Sequence, residues 1–163
     1  MSKRKQGMTC RICSSETSQR GLLHICSKSN CSAVHWDKKK IRQMVAADPT
    51  FKAEAFNEKF VTILEEANVP DWVSGEHYVY TIRLRGQRPQ GSIGKLYVGM
   101  TGLHPYARYL NHIRGYQSAS SVRRYGTALV NYKGPISYEE AKTLEPRLAG
   151  ELREQGYDVH GGH

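Results

Sequence analysis

Four cysteines, Cys10, Cys13, Cys26 and Cys31, fall within the first 31 positions of a 163-residue chain, spaced C-x2-C-x12-C-x4-C. Two thiol pairs joined by a short loop can converge on one tetrahedral Zn2+. About 30 residues cannot bury a core unaided, so the metal would supply the folding energy there. His24 and His35 are rival ligands, although a four-cysteine site needs neither. Disulfides would be the other use of these thiols, but they belong to oxidising compartments. The first residues, Met1-Ser2-Lys3-Arg4-Lys5, lack the apolar stretch of a signal peptide, and no apolar run approaches the roughly 18 residues that span a bilayer. The expectation is a cytoplasmic protein, with no membrane contact and with a zinc finger over 1–36 that has a basic N-terminus.

Charge points to the partner. Lys and Arg number 24 against 15 Asp and Glu, a net charge of +9. Residues 1–45 carry ten basic and two acidic side chains, 46–75 two and six, 76–135 nine and one, and 136–163 three and six. Two basic blocks thus flank an acidic spacer. A small-molecule enzyme has no need of such blocks, and polyanion binding gives them a reason. Lys38, Lys39 and Lys40 in the first block, and Arg85, Arg88, Arg114, Arg123 and Arg124 in the second, are the candidate nucleic-acid contacts. The acidic spacer is expected to turn away from them. His104 and Asn111 read as surface or phosphate-positioning residues.

The hydrophobic pattern changes period along the chain. Helix formers fill 37–47 and Asp48-Pro49 breaks them. Phe56, Phe60, Ile63 and Leu64 then share one helical face within 53–67. Residues 37–75 read as a helical linker. Aromatic and β-branched runs at 77–84 and 94–100 read as strands joined by a long basic hairpin tip. Pro105 opens a helix that Gly115 closes. A third strand covers 128–133. Ser137 with Glu140 forms a capping box for a last helix, in which Pro146 is expected to cause a kink.

The order strand–strand–helix–strand–helix carries specific residues. Tyr78-Val79-Tyr80 lies on the first strand and Tyr97-Val98-Gly99 on the second, with Thr101 just after it. Arg108 and His112 are four apart on one helical face, and Glu145 lies on the last helix. This arrangement over about 76–160 resembles the GIY-YIG nuclease family. The resemblance implies an α+β fold with a small antiparallel three-stranded sheet flanked by helices, here over 76–163. It implies Tyr80, Tyr97, Arg108, His112 and Glu145 as catalytic residues, with Glu145 holding one Mg2+ or Mn2+. Three positions depart from the family pattern. Tyr78 stands where the first motif has glycine, and Met100 where a lysine often follows the second. No asparagine follows Glu145, so Tyr157 or His160 would have to take its place. The segment from Cys26 to Trp36 resembles small fingers whose last cysteine opens a helix.

These residue types suit phosphodiester hydrolysis. A carboxylate can hold a hard cation, an arginine can grip a phosphate with a planar fork, a histidine can move protons, and tyrosines can contact the attacking water. A tyrosine serving as base needs its pKa depressed by a neighbouring cation. The reading is a metal-dependent DNA endonuclease of compact restriction type, working as a homodimer where both strands are cut. The alternatives are a zinc-containing nucleic-acid-binding protein on an inactive nuclease scaffold, an RNA nuclease, and a repair or mobile-element nuclease.

Overall fold

A computed structural model of the chain describes residues 8–69 and 71–162. The basic N-terminal run Lys3-Arg4-Lys5 lies outside the described residues. The elements in order are β1 (Thr17–Arg20), β2 (Leu23–Cys26), β3 (Val34–Trp36), α1 (Lys38–Ala47), α2 (Thr50–Ala53), α3 (Glu58–Glu66), β4 (Val73–Leu84), β5 (Lys95–Leu103), α4 (Pro105–Arg114), α5 (Ser120–Tyr125), β6 (Gly126–Ile136), α6 (Tyr138–Glu154) and β7 (Asp158–Gly161).

The fold is mixed α+β, and its sheet has seven strands where three were expected, in the order β1-β2-β3-β6-β4-β5-β7. The three expected strands form its middle, β6-β4-β5, antiparallel throughout. Two additions enlarge it. The cysteine-bearing strands join through β3, with Val34 opposite Leu129 of β6. The C-terminal residues pair parallel with β5, with Tyr97 opposite His160. Cys31 does not open a helix. Residues 34–36 form β3 first, and α1 begins only after its N-cap Asp37, whose carboxylate accepts from the Lys40 N–H.

Alternation along β4 divides the core. Tyr80, Ile82 and Leu84 face a large cluster with Leu23 and Trp36 from the cysteine-bearing strands, Ile41, Phe51, Phe60 and Leu64 from the helical stretch, and Tyr109 and Leu110 from α4. Val79 faces the other side, where Val98, Ala141 and Ala149 bury the apolar stripe of α6. Finger, helical stretch and body therefore share one sheet and one main core. The long helix expected over 53–67 is shorter. Asn57 caps α3 by accepting from Lys59 N–H, and the four-residue α2 precedes it. α6 runs continuously through Pro146, and its N-cap Ser137 accepts from Glu140 N–H at 3.1 Å as the capping box requires.

Arg114 overturns its expected role at a phosphate. It is 1% exposed. Its guanidinium donates to Asn111 Oδ1, Glu54 O and Ala55 O, each at 2.7 Å, and to Phe51 O. Its Cζ lies 4.2 Å from the Phe60 ring centroid. A four-residue helix has little stability of its own, and this cation caps the carbonyls at the end of α2. Asn111, 2% exposed, is likewise no surface residue, because it holds Arg114. Arg114→Ala would leave the buried Phe51 carbonyl and the part-buried Glu54 and Ala55 carbonyls without their donor, at about 1–3 kcal/mol for each that water does not reach. We expect a loss of at least about 1 kcal/mol in urea unfolding; unchanged stability with weakened DNA binding would return Arg114 to the phosphate.

Candidate functional site

Five side chains from four elements converge beside the open half of β5. Tyr80 stands on β4 and Tyr97 on β5, with ring centroids 6.2 Å apart. His112 packs against both, at 5.9 Å from Tyr80 and 5.7 Å from Tyr97. Arg108 sits one turn before His112 on α4 and donates to Gln117 O at 2.9 Å. Glu145 reaches the group from α6, close enough for its carboxylate to raise the Tyr97 phenol. β7 pairs β5 from Lys95 to Val98, and among the described residues the strand from Gly99 onward has no neighbour on that edge. Gly99 lies opposite Tyr80 in register, and a Cβ there would stand 2.6 Å from the Tyr80 hydroxyl. The glycine of the second motif thus leaves room for the tyrosine of the first.

The hydrogen bonds give the group a direction. The Ala119 N–H donates to His112 Nδ1 at 3.0 Å. Burial, and then Arg108, push the His112 pKa well below the ordinary histidine value, so the ring is neutral. A neutral ring accepting at Nδ1 carries its proton at Nε2. Nε2 therefore donates to the Tyr80 hydroxyl, 2.8 Å away. Tyr80 packs beside Tyr97 and acts to lower its phenol. The hydrogen-bond chain runs Ala119, His112, Tyr80. His112 is 0% exposed, and its outward contact is the Tyr80 hydroxyl. Both phenols sit above the ordinary tyrosine value, chiefly through burial, with Arg108 opposing. Tyr80 is 1% exposed, whereas Tyr97 is half-buried and faces outward.

A cleft of about 380 Å³ opens over Arg108, lined by Phe56, Met100, Thr101, Leu103 and Tyr116 among others. Met100 reaches it where a lysine was looked for, and the acidic stretch enters it through uncharged Ala55 and Phe56. His160 stands opposite Tyr97 in register, but its Nε2 lies 3.3 Å from Asp158 Oδ2. Tyr157 packs at Gly94, near the far end of β5. His104 is the N-cap of α4, its Nδ1 accepting from Tyr106 N–H.

The basic candidates form a ridge at the other end of β4. Lys38 is half-buried, donates to Gly126 O at 2.6 Å and has its pKa lowered to about 8, by burial first and then by Arg42, Arg85 and Arg11. Arg85 donates to Arg124 O and lies 5.6 Å over the Tyr125 ring, with Lys95 at 5.4 Å. Arg42 donates to Arg123 O. Arg123 and Arg124 stand on the short helix α5, where a loop was expected, because Gly126 closes one helical turn there. They line a second cleft with Arg42 and Lys52. Lys39, Lys40 and Arg88 are exposed. Both basic blocks thus contribute to one surface.

The cysteines meet as their spacing required. All four Sγ atoms lie within 4.8 Å of one another, with Cys13–Cys26 at 3.4 Å and Cys10–Cys31 at 3.8 Å. Zinc with arms of about 2.3 Å spans sulfurs about 3.8 Å apart, so the site fits a structural metal such as zinc. All four thiols are free. Hydrogen bonds from Ser15 lower Cys13 to about 6, while burial pushes Cys31 up to about 12. The rival histidines stand outside the set: His35 donates from Nδ1 to Thr127 O and its Nε2 touches Cys10 Sγ at 3.4 Å, and His24 Nδ1 lies 3.4 Å from the Thr17 hydroxyl. Among the described residues, no helix is long and apolar enough to cross a membrane.

No protein-family model, curated protein or solved structure matches the chain, so the site is read from its own chemistry. Two expectations follow. One equivalent of zinc should be recovered from protein purified under reducing conditions. Its removal should speed amide exchange in β1–β3 and also at Leu129, because β3 pairs there; exchange confined to residues 8–26 would contradict the shared sheet. His112 stays neutral when folded but protonates near pH 6.5 when unfolded. Below that pH the unfolded chain binds more protons, so stability falls as pH falls, by up to about 1.4 kcal/mol per pH unit from this residue. His112→Gln, which keeps a donor and an acceptor, should flatten the fall between pH 6.5 and 5 measured by urea midpoints.

Proposed function

We propose that the chain is a metal-dependent endonuclease of GIY-YIG type that hydrolyses phosphodiester bonds in DNA, of compact restriction type. The observation that carries this reading is the convergence of Tyr80, Tyr97, Arg108, His112 and Glu145 from four elements around the Tyr97 ring. Singly, each residue has an ordinary packing or surface role. Together they supply what phosphoryl transfer needs: a cation for the phosphate, a carboxylate for a metal, and a water-positioning group.

The roles follow from exposure and donor direction. Arg108 borders the cleft and offers its planar fork to the scissile phosphate. Tyr97 keeps its proton at neutral pH and orients the attacking water by hydrogen bonding. Tyr80 and His112 back the Tyr97 ring from the core side and limit where it can move. Glu145 offers the oxygen donor that a hard cation prefers, and would hold one Mg2+ or Mn2+, whose contribution when bound is Lewis-acid charge for the phosphoryl group. The cysteine cluster lies on the far side of β6 and takes no part in hydrolysis.

The duplex would run along the ridge of Lys38, Arg85, Arg123 and Arg124. Such contacts neutralise phosphates and make affinity fall with salt. Glu145→Gln and Arg108→Ala should each keep the fold and DNA binding while lowering cleavage of plasmid in Mg2+ or Mn2+ at least about a hundredfold. Cleavage by Glu145→Gln at the wild-type rate would refute the site. Binding without cleavage by the wild-type chain would favour a nucleic-acid-binding protein on an inactive scaffold.

A further inference from the structure

One departure from the motif pattern builds something. Tyr78 stands where the first motif has glycine, two residues before Tyr80 on the same face of β4. Its ring meets His104 at 5.6 Å and Tyr132 at 6.1 Å, and His104 meets Tyr132 at 5.6 Å. These three rings line a cleft of about 590 Å³ whose rim carries Asp71, Ser74 and Glu76. Gly134 closes the floor. A Cβ there would stand 2.7 Å from Tyr78 Cδ1, and its φ of +137° already favours glycine. Tyr78 is buried while Tyr132 is 37% exposed, so one aromatic face is fixed and the other is open to a ligand.

We infer that this cleft takes an unstacked nucleobase of the strand whose phosphate lies on Arg108, a reading that rests on the proposed nuclease function for its position in the substrate. Four observations support it. Aromatic faces stack on any base. His104 accepts from the Tyr106 N–H at Nδ1, so its neutral ring presents Nε2–H, a donor for a base oxygen or ring nitrogen. The carboxylates of Asp71 and Glu76 accept from exocyclic amino groups, which favours cytosine, adenine or guanine over thymine. Tyr106 extends the aromatic set behind the cleft, with its ring 4.6 Å from His104 and 6.0 Å from Tyr132, so the two lining rings are held at a fixed spacing.

The placement fits a substrate strand. His104, the N-cap of α4, precedes Arg108 by four residues, about one helical turn. That turn rises about 6 Å, or about two base steps of duplex at 3.4 Å each. A phosphate at Arg108 would therefore have a base within one or two nucleotides at the His104 side of the cleft. Unstacking that base is the energetic cost, smallest where the pair is already weak or mismatched.

The test begins with free nucleotides, which keeps it independent of cleavage. Nucleoside 5′-monophosphates are titrated against the full chain by NMR, with inorganic phosphate and tetramethylammonium as comparisons. Shifts of the Tyr78, His104 and Tyr132 ring resonances with nucleotides, absent with phosphate, are expected. Tyr132→Leu keeps the bulk but removes the π-face, and should weaken binding at least about fivefold. Shifts with tetramethylammonium alone, or none with any nucleotide at millimolar concentration, would overturn the inference. A second arm places one abasic site at each position of a duplex bound to Glu145→Gln protein. Affinity should drop at a position within two nucleotides of the cut, and the drop should vanish in the Tyr132→Leu background. Cleavage with no such positional loss would overturn the adjacency. Nucleotide binding without any cleavage would uphold the cleft and refute the nuclease reading instead.

Discussion

Strand β4 has no free edge. β5 pairs with it from Tyr78 to Leu84, and β6 from His77 to Leu84. Its side chains alternate between two cores that do not meet, so its register fixes both at once. A one-residue slip would carry Tyr80 to the α6 face and Val79 to the α4 face, a strongly disfavoured exchange. The other elements take their places from this strand. α4 packs where Tyr80 and Ile82 point, and α6 where Val79 points. α6 sets Glu145 near Tyr97, close to where β7 ends against Val98. The site gathers where α4 and α6 approach β5 from its two faces.

Local signals carried most of the element boundaries. Pro105 and Gly115 bracket α4 because proline suits the first helical position and Gly115, at φ 91°, takes the left-handed conformation that ends it. Ser137 and Glu140 mark the start of α6 for an equally local reason. What the sequence hid was long-range. Nothing in residues 34–36 announces that they pair with Leu129, almost a hundred positions on, so the sheet reads as three strands and not seven. The same blindness affects charge. Arg114 looks like every other arginine in its block, yet three carbonyls from residues 51–55 and the Phe60 ring claim it. His112 and Arg108 are equivalent by spacing and differ only because one ring is buried against Tyr80.

That difference organises the candidate site into a graded series. Burial increases from Tyr97 to Tyr80 to His112, and the hydrogen bonds run outward from the Ala119 amide. An inner pair held by the core backs an outer, half-buried phenol. In the proposed reaction such packing would limit the freedom of the Tyr97 hydroxyl, as preorganisation on rigid elements requires. Burial also raises both phenols, so in that reaction they would orient water and not deprotonate it.

The cysteine cluster belongs to the same logic although it lies away from the chemistry. β6 would otherwise expose an unpaired edge from Gly126 to Leu129, the kind of edge that invites pairing with another chain. Three groups that follow the metal-site loop close it. Val34 pairs with Leu129, the His35 ring donates to Thr127 O, and the Lys38 ammonium donates to Gly126 O. Ala128 and Val130 of β6 pack against the cysteines themselves. A metal that orders Cys10, Cys13, Cys26 and Cys31 therefore orders β3, and through it the edge of β6. Because Lys38 follows directly, the same contact sets the first residue of the basic ridge against α5, where Arg42 reaches Arg123. The cysteine site thus acts on the basic ridge through the sheet, by fixing where that ridge begins.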